Sequence, residues 1–116
     1  MRTFNVTVHI PGTLAADKSV VFTVPCNCQL IHVSACGSNG NDGLLTIGTT
    51  SSAELYLASA SIGDSNVPAE FDRDNFVGAQ FPHIAKGTVF AAALDHDGAV
   101  GVATQNFTLV LTFTEG

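Results

Sequence analysis

Phe107-Thr108-Leu109-Val110-Leu111-Thr112-Phe113-Thr114 places a large apolar residue at every second position, with threonine at three of the four positions between them. A period of two belongs to an extended strand with one face in a core, whereas a helix would repeat its apolar residues every 3.6 positions. Threonine, valine and phenylalanine also suit a pleated, half-buried surface. The strand is therefore expected to be integral to a sheet, so that deleting residues 107–116 abolishes folding.

The same alternation recurs upstream. Phe4, Val6, Val8 and Ile10 fall on one side and Asn5, Thr7 and His9 on the other, until Pro11-Gly12 ends the run. Val20, Phe22 and Val24 mark a second strand at 19–24, closed by Pro25. From Cys28 to Cys36 apolar residues occupy both faces, which predicts a strand covered on both sides. The turn-rich Gly37-Ser38-Asn39-Gly40-Asn41-Asp42-Gly43, followed by Leu44, Leu45 and Ile47, predicts a hairpin into an antiparallel fourth strand. Residues 51–62 admit two readings. Ser51 with Glu54 has the form of a helix capping box, while Leu55, Leu57 and Ile62 also suit a strand.

Residues 64–87 scatter Asp, Asn, Pro and Gly among Phe71, Phe76 and Phe81, predicting a long loop anchored by rings with one short strand inside it. This loop is the expected seat of specificity. Thr88 to Leu94 forms another compact apolar run, and Asp95-His96-Asp97-Gly98 then signals a turn before the small-residue stretch Ala99 to Thr104. About seven or eight short strands separated by turn residues predict one all-β domain over residues 1–116, an antiparallel β-sandwich or jelly roll, with a short helix near 52–60 as the alternative in the ambiguous segment.

Composition narrows the function. The chain has 116 residues, 46% hydrophobic and only 12% charged, against about 25% in an average globular protein, so part of its exterior is expected to be covered by another chain. Four basic residues against ten acidic ones give a net charge of −6 and no basic patch for nucleic acid. No apolar run approaches the roughly 20 residues that span a bilayer, and the N-terminal stretch lacks the apolar core of an export signal. The expectation is a protein made in the cytoplasm, without membrane or nucleic-acid partners.

Candidate chemistry is sparse. His9, His32, His83 and His96 stand in four separate segments with no His-x-His pair, against the needs of a cupin-like metal enzyme. Cys26, Cys28 and Cys36 offer three sulfurs without a fourth ligand and are expected to be reduced. Asp95-x-Asp97-Gly98 resembles the opening of a calcium loop but has no downstream bidentate glutamate, so solvated turn carboxylates are the expectation. Asp72 and Asp74, flanking Arg73, form a loop charge cluster, and no serine stands in a Gly-x-Ser-x-Gly context. No catalytic residue, cofactor or metal is assigned. Phe71, Phe76 and Phe81 are read either as ties from loop to sheet or, with His83, as a subunit interface.

Pro82-His83-Ile84-Ala85-Lys86-Gly87, Leu94-Asp95-His96-Asp97-Gly98-Ala99 and the closing Thr108 to Gly116 look like small structural proteins of tailed bacteriophages. Leu45-Thr46-Ile47-Gly48-Thr49 with Ala60-Ser61-Ile62-Gly63 is similar to the same group, so the resemblance runs from about Val20 onward. It rests on turn and strand patterns without a chemical signature. The resemblance implies a jelly-roll decoration or cement protein on the virion head surface, commonly a homotrimer, that strengthens joints between major capsid protein subunits. A glycan-binding module of a phage fibre or spike is the alternative, weakened by the lack of Trp and the single Tyr56.

Overall fold

A computed structural model describes residues 2–116. Nine strands run β1 (Thr3–Thr13), β2 (Lys18–Thr23), β3 (Cys28–Cys36), β4 (Leu44–Thr49), β5 (Leu57–Ser61), β6 (Ala69–Phe71), β7 (His83–Ile84), β8 (Val89–Asp95) and β9 (Gln105–Glu115). They form two antiparallel sheets. The first has the order β1-β9-β3-β6, with β7 also on β3, and the second the order β2-β8-β4-β5. This is the all-β sandwich that the alternation predicts. The strands beyond the expected seven or eight are accounted for by the long loop, which holds two short ones, β6 and β7, rather than one.

The decisive stretch lies at the centre of the first sheet. β9 pairs with β1 from Thr3↔Thr114 to Thr13↔Gln105 and with β3 from Cys28↔Glu115 to Cys36↔Thr108. Phe107, Leu109, Leu111 and Phe113 all point inward and are buried. Across the core the second sheet supplies Leu45, Ile47, Phe90, Ala92 and Leu94. The sheets are joined by rings: Phe113 stacks on Phe4 at 5.0 Å and meets Phe90 edge-on at 5.5 Å, while Phe22 lies 5.0 Å from Phe90. Such pairs add about 0.5–1.5 kcal/mol each beyond the area they bury.

One local expectation is overturned, and one open reading is decided. β3 and β4 do not form a hairpin, because Gly37–Gly43 carries the chain from one sheet to the other, and β4 pairs with β8 and β5 instead. Turn residues announce a reversal but carry no information about which sheet receives the next strand. Of the two readings of residues 51–62 the strand holds, and no helix forms near 52–60: residues 49–55 form tight turns, and Leu57–Ser61 adds to the edge of β4. The capping box does not form. Glu54 Oε1 accepts from the Ser59 amide (2.9 Å), and it is Thr49 Oγ1 that accepts from the Ser52 amide (3.1 Å). The unpaired edge of β4 outweighs a weak local helix signal.

Candidate functional site

The rings of the long loop are committed to the chain's own core. Phe71 and Phe76 are buried in the single chain, as the reading of these rings as ties from loop to sheet expects, and they leave little ring surface for a subunit interface. Phe81 is half-buried against the core, and His83 is exposed on β7 with its Nε2 3.0 Å from Gln29 Nε2. Beside them lies a surface depression of about 460 Å³ lined by Leu55, Tyr56, Val77, Gln80, Pro82 and His83. Asp72 and Asp74 shape the turn that seats Phe76. Asp72 Oδ1 accepts from the Asp74 amide (3.2 Å), and Arg73 Nε stands 3.8 Å from Asp74 Oδ1 at the exposed surface.

Three of the histidines, His9, His32 and His83, share the outer face of the first sheet, but each has a different neighbour. His9 Nδ1 is 2.9 Å from Thr108 Oγ1, and His32 Nε2 is 3.3 Å from Glu70 Oε1. Cys28 and Cys36 stand at opposite ends of β3, about 26 Å apart at 3.3 Å per residue, so they cannot ligate one ion. Burial, then the nearby Cys26, raises the Cys28 thiol to about 11, which keeps it protonated and unreactive near neutral pH. Burial likewise raises the Tyr56 phenol, and its ring packs parallel to Phe90 at 6.0 Å.

His96 also gains a carboxylate partner, Asp17, and does so across 79 residues of sequence. Its Nδ1 lies 2.7 Å from Asp17 Oδ1, which also accepts from the His96 amide at 3.1 Å. These bonds, the side-chain one first, hold the Asp17 carboxyl below its ordinary range. With Asp95 they bring three donor atoms within 4.8 Å of one another. A cation there would have to displace the proton shared by His96 Nδ1 and Asp17, so the arrangement as it stands is a clamp between two loops. Asp97 lies outside this group, and its amide donates to Asp95 Oδ1 (3.0 Å), as in a solvated turn.

That clamp is one stitch in a larger seam. Four loops meet at one end of the sandwich: 14–17, 37–43, 62–68 and 96–104. The Leu14 amide donates to Thr104 O (2.9 Å), and Asn39 Nδ2 donates to Ala103 O (2.9 Å). Asp42 Oδ2 accepts from the Val102 amide (2.7 Å), and Asn39 Oδ1 accepts from the Gln105 amide (3.1 Å). On the other flank the Ser65 and Asn66 amides donate to Asn39 O and Gly37 O, both at 3.0 Å. Four of the five non-glycine residues with positive φ lie in or beside these loops, namely Ser65, Asn66, Asp97 and Asn106. A Cβ at Gly63 would overlap the Val67 carbonyl, so close backbone approach demands glycine there. In sequence these residues have the character of turn formers. Their partners are 60 or more residues away in several cases, and no local pattern announces them.

No family model matches the chain, and no curated protein matches it. Among solved structures, the sandwich is similar to a chain of the capsid asymmetric unit of cyanophage Pam1. The likeness covers 99% of this chain and 84% of that one, at a TM-score of 0.58 and 12% sequence identity. At that identity the likeness is one of fold.

Proposed function

We propose that the chain is a structural protein of a bacteriophage capsid, a jelly-roll decoration or cement protein that associates with itself and with the major capsid protein on the head surface. The observation that carries this reading is the strand order, β1-β9-β3-β6 facing β2-β8-β4-β5, together with a fold matched almost end to end by a cyanophage capsid chain. Eight strands in two facing sheets, with β7 as a short addition, are what a jelly roll of the kind viral capsids use would require, which supports this reading. The low charge density supports the same reading, since it leaves extended uncharged surface for other subunits. A stable, closed homo-oligomer, a trimer by the family resemblance, would multiply individually weak contacts with the shell.

The glycan-binding alternative is the less supported reading. Tyr56 is buried, and none of the exposed large apolar side chains among the described residues is aromatic. Mass spectrometry and electron microscopy of virions made with the chain are expected to find it at regular copy number on the head, and sedimentation of the free protein to find an oligomer. A monomer that leaves purified capsids unoccupied would sink the proposal.

A further inference from the structure

The seam of loops holds apolar side chains outward, and this is its unusual property. Val100 is 87% exposed, Val67 69% and Val102 52%, the first, second and fourth most exposed of the large apolar residues. Each sits on a loop bonded to its neighbours. The Val102 amide is held by Asp42 and its carbonyl by the Asp42 amide (3.0 Å), while the Val67 amide donates to Asp64 O (2.9 Å). Gly101, between Val100 and Val102, packs against the Asp42 carboxylate, and its amide donates to Asp97 O (3.0 Å), which closes the turn at the tip. A valine on a flexible loop can fold back onto the protein, whereas these are fixed in water, with the ordering entropy already spent on folding.

The charges around them specify what they meet. The four loops and the strand ends beside them carry Asp17, Asp42, Asp64, Asp95 and Asp97 against Lys18 alone, five carboxylates to one ammonium, or −4 of the chain's −6. His96 is the further titratable group there, tied to Asp17. A second copy presenting the same end would be repelled. We infer that this end of the sandwich docks onto a basic protein surface with apolar pockets that receive Val67, Val100 and Val102. The inference rests on the capsid reading and deepens it, assigning the loop end to the shell and leaving the sheet faces and edges for self-association. Opposite charge would steer the approach and make it dependent on salt, and the valines would supply contact once water is expelled.

Carboxyl footprinting of the free protein and of intact virions, read by mass spectrometry, tests this directly. Asp42, Asp64 and Asp97 are expected to be labelled in the free protein and protected in the particle. Zero-length carbodiimide crosslinking is expected to join one of them to a lysine of a different protein. Val100→Asp is expected to lower occupancy at least tenfold with an unchanged melting temperature, and Val100→Ile to retain it. Equal labelling in both states with protection elsewhere, crosslinks only to other copies of the chain, or full occupancy by Val100→Asp would each overturn the inference while leaving the capsid reading intact. Absence of the chain from virions would overturn both.

Discussion

The two ends of the sandwich are held together by different means. At one, Phe71 and Phe76 turn inward and moor the long segment between β6 and β8, so apolar surface is consumed in fixing the loop. At the other, Asn39, Asp42, Asp17 and His96 bond loop backbones and one another, so loops are fixed by polar groups and Val100 and Val102 are released to the outside. Order in a loop therefore does not reveal whether its apolar residues are available. What matters is which kind of side chain creates that order.

The largest separation between the ends is expected from Phe76→Ala. Removing a ring that is 2% exposed should cost about 3–5 kcal/mol, read as a drop in the denaturant midpoint. A loss below 1 kcal/mol would mean that the mooring is slack. Gly63→Ala comes next, at about 1–3 kcal/mol, because its new methyl meets backbone that cannot move without loosening the 62–68 loop. Hydrogen exchange should show the loss of protection spreading to residues 37–41.

A smaller effect depends on pH. The Asp17 carboxyl is depressed in the folded state, so its contribution is fully present above its ordinary value of 3.8 and is lost as pH falls through the lower folded value. Wild type should thus exceed Asp17→Asn in melting temperature by a constant margin above about pH 4, and the two curves should converge below it. A constant gap down to pH 2 would show that the clamp does not depend on the carboxylate. The smallest effect is assigned to Val100→Ser, expected within about 0.5 kcal/mol of wild type despite the loss of a large apolar group. A clear destabilisation would mean that this side chain packs within the chain and is unavailable to a partner.

The course of the strands was legible because alternation is local. β9, β1, β2 and β3 fall where the spacing of Phe, Val and Leu places them, but β3 is not covered on both sides: it alternates buried and half-buried residues, with His32 on the outer face of the sheet. The assignment of strands to sheets was not legible. Gly37–Gly43 reads as a hairpin turn, and only packing decides that it crosses between layers. The burial of Phe71 and Phe76 was hidden for a related reason: polar neighbours in sequence point to exposure, but a ring beside Asp72 or Asn75 can still reach the core when those residues cap its turn. At the loop end, Asp17 and His96 are too distant in the chain for any pattern to join them.

Asn39 lies at the middle of the seam and is followed by Gly40, which has no side chain to shield its amide nitrogen. Its amide group faces two ways, donating to Ala103 O and accepting from the Gln105 amide. Deamidation would set a carboxylate oxygen against the Ala103 carbonyl and turn an attraction into a repulsion. Loss of this one amide would loosen the joint between residues 37–43 and 96–104, well away from the hydrophobic interior.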